Sequence, residues 1–180
     1  MLKVFIAGPR VIREINEKIT EKLDKICEKK YDVLIGDADG VDSCVQKYFQ
    51  QKSYKNVKVY ASNGLARNNY GDWQIENVVV DKFKKGFYFY AEKDLKMVKD
   101  AEIGFMIWNG KSRGTFNNIV NLLNYGKRVI LYYTQNDRFY YIKNMDELET
   151  FLGSNITLNS KLKALLPQKK LKSYTQICLF

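Results

Sequence analysis

The sequence predicts an α/β protein: a three-layer, Rossmann-like, doubly wound fold in which helices cover both faces of a mainly parallel, five-stranded sheet. Short apolar runs alternate with segments of helical periodicity along most of the chain, and the connections between them are short. This alternation is typical of right-handed β-α-β units. We therefore expect the strand order 3-2-1-4-5, with a ligand crevice beside strands one and four, where the order reverses.

The first half of the chain predicts three strands separated by two helices. Each strand is a short apolar run that ends in glycine or a polar residue, and each helix carries apolar residues at steps of three and four. The strands are Val4–Ala7, Val33–Ile35 and Val57–Ala61, and the helices are marked by Ile12, Ile15, Ile19, Leu23 and Ile26 and then by Val41, Val45, Tyr48 and Phe49.

The second half begins with a long polar loop, Ser62–Asp72, and loops of this length in compact domains are usually functional. Apolar spacing predicts a helix over Trp73–Lys85, and the aromatic run Phe87–Tyr90 fits a strand or a loop. A short helix is predicted over Lys93–Ala101, with Asp94 as its N-cap. The remaining elements are strands at Ile103–Trp108 and Arg128–Tyr133, helices at Phe116–Tyr125, Met145–Leu152 and Leu158–Leu166, the last ended by Pro167, and an edge strand at Phe139–Lys143.

Composition limits the class of protein. Of the 180 residues 46% are hydrophobic, which is ordinary for a globular chain, and no apolar run reaches the ~18 residues of a membrane span. The three cysteines lie far apart and show neither zinc spacing nor a disulfide framework, which favours a reducing, cytoplasmic location. Because histidine is absent, Ser–His–Asp and Cys–His catalysis and histidine metal sites are excluded.

The charge distribution divides the chain into a domain, residues 1–153, and a basic C-terminal extension, residues 154–180, expected to be helical and packed on the domain. The formal net charge is +10, and the extension contributes half of it. A nucleic acid is one explanation, and a solvated lysine-rich end is the other. We favour the second because no pattern of base-stacking aromatic residues alternates with the lysines. These lysines are Lys161, Lys163, Lys169, Lys170 and Lys172.

The loop within Trp108–Asn118 carries the clearest functional signal. It joins an apolar strand to a helix, where α/β proteins place the backbone N–H groups that hold phosphate. Lys111 and Arg113 flank Ser112, so we expect this loop to bind a phosphate or another anion. It matches neither a P-loop nor the GxGxxG fingerprint. The predicted ligand contacts are Asn109, Lys111, Ser112, Gly114 and Thr115, and Thr115 is also expected to cap the helix.

Two further turns are expected at the same edge of the sheet. The segment Gly36–Asp42 contains three acids and two glycines that allow the backbone to approach a ligand. Asp42 is expected to cap the following helix, and the acids to contact ligand hydroxyls or a cation, such as Mg²⁺ brought by a nucleotide. The turn after the first strand carries an arginine that could clamp an anion. The predicted contacts are Gly8, Arg10, Gly36, Asp37, Asp39, Gly40 and Asp42.

The long polar loop predicts a lid whose aromatic residues could stack on a base, the alternative being a packed surface loop. The lid residues are Arg67, Asn68, Tyr70 and Trp73. The aromatic run Phe87–Tyr90 is instead expected to pack in the core and at the sheet edge. A cofactor or metal site of the protein's own is not predicted, because no ligand spacing for one is present.

Three motifs together resemble the SLOG superfamily. They are IAGPR at Ile6–Arg10, GDADGVD at Gly36–Asp42, and WNGKSRGT…NI…YGKRVILYY between Trp108 and Tyr133. This Rossmann-like group includes the LOG phosphoribohydrolases and the DprA DNA-processing proteins. The resemblance covers about residues 2–133 and is greatest to the uncharacterised branch with a Ser-Arg/Lys-Gly-Thr loop. It implies a doubly wound domain that binds nucleotides or nucleotide-derived ligands at its glycine-bearing loops.

The resemblance also implies an enzymatic alternative. LOG-type hydrolases and nucleoside deoxyribosyltransferases place a glutamate soon after the Gly-Thr pair, and the matching residue here is Asn118. An amide cannot act as nucleophile or general base on an N-glycosidic bond, although Asn118 can contact a ribose hydroxyl. Cleavage would therefore need a substitute carboxylate. The candidates are Asp37, Asp39, Glu76 and Glu92.

We accordingly predict a protein that binds, or senses, a nucleotide or nucleotide-derived small molecule at the crevice. One alternative is an N-glycosidase, phosphoribohydrolase or deoxyribosyltransferase-like enzyme that acts on a nucleotide. The other is a nucleic-acid-binding protein that uses its basic tail. The aromatic surface would allow a homo-oligomer, and no membrane partner is expected.

Overall fold

A computed structural model describes residues 1–155 and 158–167. The strands are β1 (Lys3–Ala7), β2 (Asp32–Gly36), β3 (Val57–Ser62), β4 (Gln74–Val78), β5 (Ile103–Trp108), β6 (Arg128–Tyr133) and β7 (Arg138–Ile142). The helices are α1 (Glu17–Glu28), α2 (Val41–Gln51), α3 (Gly86–Asp100), α4 (Arg113–Asn124), α5 (Met145–Asn155) and α6 (Ser160–Lys163). Within these residues the strands form one sheet in the order β4-β3-β2-β1-β5-β6-β7.

The centre of the sheet has the predicted strand order, because β3-β2-β1-β5-β6 corresponds to 3-2-1-4-5 of the predicted strands. The sheet is wider than predicted, with seven strands rather than five. It is also mixed, since β7 pairs with β6 antiparallel while the other pairs are parallel. The turn between β6 and β7 is short, and a short turn can join only antiparallel neighbours. The strand order reverses between β1 and β5, as predicted, and this reversal determines where the cleft lies.

Strand β4 corrects the prediction of a helix over Trp73–Lys85. Gln74–Val78 pairs parallel with β3, and the Lys58 ammonium on β3 lies 3.6 Å from a carboxylate oxygen of Glu76 on β4. The strand contains two β-branched residues, Ile75 and Val78, which favour extended structure when a partner strand is available. Trp73 is buried at the start of the strand. The apolar spacing of this segment therefore reflected strand and loop contacts rather than one helical face.

Helix α3 corrects two predictions at once. The aromatic run Phe87–Tyr90 is helical rather than strand or loop, and Asp94 lies inside the helix rather than at its N-cap, which is Lys85. The helix buries Met97 and Val98 against the sheet. The aromatic residues, which by propensity favour strands, occupy its first turns because tertiary packing outweighs that preference. This change brings the start of α3 to the edge of the sheet where the ligand was predicted.

Helix α1 begins later than the apolar spacing predicts. Asn16 is its N-cap, and the Asn16 side-chain oxygen accepts a hydrogen bond from the Ile19 N–H at 3.2 Å. Ile12 and Ile15 therefore precede the helix and pack against the core from a loop. Side-chain capping of the free N–H groups, rather than the apolar pattern, sets this boundary.

Two hydrophobic cores lie on opposite faces of the sheet, because alternate residues of each strand point to opposite sides. On β1, Val4 and Ile6 face the helices α1 and α2, and Phe5 and Ala7 face α3, α4, α5 and α6. Tight packing on both faces confirms an α/β architecture with helices on both sides of the sheet. It leaves the edge at the carboxyl ends of β1, β2 and β5 as the place for a cleft.

The described part of the predicted C-terminal extension consists of the end of α5, the segment 158–167 and, within it, α6. Leu162 of α6 is buried in the core shared with α4. Residues 156–157 and 168–180 lie outside the described residues, so a helical extension stays a prediction there. None of the helices in the described part is long and apolar enough to cross a membrane.

Candidate functional site

A cleft of about 680 Å³ opens at the carboxyl ends of the central strands, between the turn after β1, the start of α3 and the loop before α4. Three of the predicted segments meet there, as expected for an open α/β sheet at its switch point. The predicted ligand contacts that line it are Gly8, Arg10, Gly36, Asp42, Asn109, Lys111, Ser112, Gly114, Thr115 and Asn118.

The first two turns touch each other at the wall of the cleft. Gly40 has a φ of +84°, and a Cβ there would lie 2.5 Å from the backbone of Arg10. The Val41 N–H donates to the Pro9 carbonyl oxygen at 3.2 Å. Only glycine fits both this backbone conformation and this approach. Gly40 therefore holds the two turns together instead of lining the cleft itself.

The loop before α4 is held by its own side chains. The Asn109 carboxamide oxygen accepts from the N–H groups of Lys111 at 3.1 Å and Ser112 at 3.0 Å. Ser112 is the N-cap, a role predicted for Thr115, and the two hydroxyl oxygens lie 2.9 Å apart. The amides of Lys111 and Ser112 are thus already bonded within the loop.

The first turn of α4 remains open to a ligand. Among the described residues the N–H groups of Arg113 and Gly114 have no hydrogen-bond acceptor, and such groups at a helix start point outward. A Cβ at Gly114 would meet nothing within 4 Å, so the space beside Gly114 is free. The exposed Lys111 lies beside it. This turn therefore offers donors and positive charge to an anion.

A buried charge cluster forms the floor of the cleft. The Lys93 ammonium is 2.9 Å from an Asp94 carboxylate oxygen and 3.8 Å from one of Asp37, and the lysine side chain is only 5% exposed. Burial alone would lower the pKa of Lys93, but Asp94, Asp42 and Asp37 raise it above its ordinary value. Lys93 is therefore a fixed positive charge among carboxylates.

Asp42 is the carboxyl of this cluster without an ion pair among the described residues. Asp42 lies in the first turn of α2, as predicted, but its carboxylate accepts from the Ala38 N–H at 3.3 Å, which precedes the helix, so the predicted cap on the free N–H groups of α2 is wrong. Burial raises the pKa of Asp42 to about 7; Lys93 opposes the shift, and Asp94 adds to it. Asp42 can therefore exchange a proton near neutral pH.

Arginine side chains stack on aromatic rings around the cleft. The Arg10 and Arg67 guanidinium carbons lie 4.5 and 4.9 Å from the centre of the Tyr90 ring, and that of Arg113 lies 3.8 Å from Phe87. These distances are within the range of cation–π attraction. The rings thus hold three positive charges in place near the cleft, and Phe87 and Tyr90 line it, contrary to their predicted place in the core and at the sheet edge.

The predicted lid loop is tied down on α2 and the second turn. Arg67 donates to both carboxylate oxygens of Asp37, at 3.0 and 2.7 Å, which holds the pKa of Asp37 below its ordinary value although burial alone would raise it. Gln46 donates to the Asn68 carbonyl and accepts from the Tyr70 N–H. The Asp37 carboxylate is therefore already paired within the protein, and the loop is a packed surface loop rather than an open lid.

Trp73 does not reach the cleft. Its side chain is buried in the core between the sheet and α2, and its indole N–H donates to the Tyr54 carbonyl oxygen at 2.9 Å. The structure therefore does not place this ring where it could stack on a ligand, because the ring completes the core at the start of β4.

None of the four candidate catalytic carboxylates lines the cleft. Asp37 pairs with Arg67, and Asp39 accepts from Asn68 at 3.2 Å. Glu76 pairs with Lys58 and lines a separate pocket, and Glu92 pairs with Lys84. The carboxylates that line it are those of Asp42 and Asp94. No group of three or more Cys, Asp or Glu side chains suited to a metal ion occurs in residues 1–155 and 158–167. Mg²⁺ with a nucleotide stays a prediction.

Sequence reasoning missed the contribution of α3. Its residues Phe87, Tyr90, Lys93 and Asp94 line the cleft. The spacing of Phe87, Tyr90, Met97 and Val98 fits one helical face and could have revealed a longer helix. No pattern in the sequence indicates that Lys93, one of 30 basic residues, is buried.

The fold and the cleft together define an α/β protein of the Rossmann type with its site at the switch point of the sheet. No family model matches the sequence, and no curated protein matches it. Among solved structures the chain is similar to DNA processing protein A from Helicobacter pylori, with a TM-score of 0.59 and 14% identity over 91% of this chain and 78% of that one. That protein binds single-stranded DNA. At this identity the likeness supports a DprA-like fold, and membership of the SLOG superfamily stays a prediction.

Proposed function

We propose that the cleft binds a nucleotide, with the phosphate at the first turn of α4. The observation that carries this proposal is the open space beside Gly114 in the first turn of α4, in a cleft that Lys111 also lines. Helix N-termini of this kind favour anions. The cleft volume of about 680 Å³ lies within the range of small-molecule sites.

The charges around the cleft support an anionic ligand with a less charged body. Arg10, Lys111 and Arg113 lie toward the loops, and the aromatic residues Phe87 and Tyr90 lie beside them. The floor holds acids balanced by Lys93. A nucleotide fits this arrangement, because its phosphate suits the basic side of the cleft. Its sugar suits the polar wall, and its base suits the aromatic wall.

We expect Lys111→Ala to weaken binding of adenosine monophosphate about tenfold, because it removes a charge-assisted hydrogen bond to the phosphate. Titration calorimetry at low salt measures the dissociation constant, and thermal unfolding with and without nucleotide provides a second readout. Lys25→Ala is the matched control, since Lys25 is an exposed lysine on α1 away from the cleft. Equal affinity of both variants for the nucleotide would contradict this placement of the phosphate.

A second candidate is binding of single-stranded DNA. The comparison with solved structures favours it over a free nucleotide, since the similar protein binds single-stranded DNA, and the net charge of +10 suits a polyanion. A labelled oligothymidylate would then bind with an affinity that falls steeply with salt, and mononucleotides would compete poorly. Deletion of residues 168–180 tests whether the basic tail contributes.

Cleavage of an N-glycosidic bond is the remaining alternative, and Asp42 and Asp94 are the carboxylates that line the cleft. Incubation with nucleoside monophosphates and chromatography for free base tests this activity. Turnover lost in Asp94→Asn would favour the enzyme over a binding protein.

A further inference from the structure

One buried acceptor in the cleft, the carboxamide oxygen of Asn118, has no hydrogen-bond partner within residues 1–155 and 158–167. Asn118 lies on α4 one turn after Gly114, it is 2% exposed, and it lines the cleft. Its carboxamide nitrogen donates to an Asp94 carboxylate oxygen at 3.1 Å, but its oxygen has no hydrogen-bond partner among the described residues. Burying an unsatisfied polar atom is unfavourable, so it points to a group that arrives with a ligand.

The orientation of this amide is set by its neighbours. A carboxylate accepts hydrogen bonds and cannot donate them, so the nitrogen of Asn118 must face Asp94 and the oxygen must face away. Asp94 is held in turn by the buried Lys93. The chain of contacts from Lys93 through Asp94 to Asn118 therefore presents an acceptor, rather than a donor, to the cleft.

We propose that Asn118 and Asp94 form a subsite for the sugar hydroxyl groups of the nucleotide. This inference rests on the proposed function and specifies the part of the ligand that the floor recognises. Hydroxyl groups donate hydrogen bonds to the free oxygen of Asn118 and to the remaining lone pairs of Asp94. Phosphate, which lacks donors when fully ionised, is rejected by the same acceptors.

The spacing along α4 fits this assignment. One helical turn advances about 5 Å, so the subsite lies one turn deeper than the proposed phosphate position at Gly114. The phosphate and the sugar hydroxyls of one nucleotide are separated on the same scale. A nucleotide within a DNA strand has no free sugar hydroxyl, so the subsite favours a free ribonucleotide over a strand.

The experiment compares the affinities for adenosine monophosphate and its 2′,3′-dideoxy analogue. We expect the wild-type protein to prefer the hydroxylated nucleotide about tenfold or more, because each hydrogen bond to a buried acceptor contributes to affinity. Asn118→Leu should reduce this preference to about one while keeping the affinity for the dideoxy analogue. Asn121→Leu, one turn further along α4 and outside the cleft, should keep the preference.

The outcomes separate this inference from the proposed function. A preference that persists in Asn118→Leu, or is absent from the wild type, overturns the subsite while leaving the phosphate position intact if Lys111→Ala still weakens both nucleotides. Failure of the wild type to bind either nucleotide overturns the proposed function and the subsite with it. If Asn118→Leu does not fold, Asp94→Asn replaces it, and that variant should also lose the preference.

Discussion

Replacing Lys93 by methionine should destabilise the fold by about 3–5 kcal/mol. Methionine is similar in length to lysine but leaves the buried carboxylates of Asp94, Asp42 and Asp37 without their shared positive charge. Removing one partner of a buried ion pair is costly because the other charge stays buried and uncompensated. Urea denaturation at pH 7 measures the change in the free energy of unfolding.

Lys96→Met provides the matched control for Lys93→Met. Lys96 lies on the same helix and pairs with Asp100 at 2.7 Å, but its side chain is 43% exposed. Partly exposed pairs contribute about 0–1 kcal/mol, so this variant should stay close to the wild type. If Lys93→Met costs no more than Lys96→Met, the cluster at the cleft floor does not depend on the buried lysine.

The second large effect is a fall in stability as the pH rises from 5 to 7. Burial raises the pKa of Asp42 from 3.8 to about 7, so over this interval the folded protein keeps a proton that the unfolded chain has released. The resulting stabilisation is complete below about pH 3.8 and is lost as the pH rises through 7, and its change from pH 5 to 7 is about 2 kcal/mol. Denaturation curves at several pH values measure it.

Asp42→Asn should remove most of this pH dependence, since a carboxamide does not titrate and can still accept from the Ala38 N–H. The chain contains no histidine, so no imidazole contributes a competing slope in this interval. The lowered pKa of Asp37 acts in the opposite direction but only at acidic pH, where its stabilising pairing with Arg67 is lost. A wild-type stability that is flat or rising between pH 5 and 7 would contradict the raised pKa of Asp42.

These two effects concern the same groups as the sugar subsite. Lys93 pairs with Asp94, and Asp94 orients Asn118, so the buried lysine that stabilises the cluster also fixes the acceptors at the floor of the cleft. The proton on Asp42 reduces the number of negative charges next to Lys93 at neutral pH. Charge balance at the floor is therefore part of what prepares the cleft for a ligand.

The sequence by itself determined the central sheet and the position of the cleft. Apolar runs and helical spacing are local patterns, and short connections allow few ways to arrange the strands, so the order around β1 could be predicted. The glycine-bearing turns could also be predicted, because glycine is the residue that allows close backbone approach, as Gly40 does here. Those turns meet at the cleft because parallel strands end at the same edge of the sheet.

Only the tertiary structure decided what each predicted residue does there. Pairing with β3 made a strand of Gln74–Val78, and packing on the sheet made a helix of the aromatic run, which brought Lys93 and Asp94 to the floor. Asp37 pairs with Arg67, and Trp73 is buried in the core, so neither side chain faces the cleft. Burial, ion pairing and shifted pKa values arise from contacts between residues that are far apart in the chain. The local spacing of residue types therefore does not predict them.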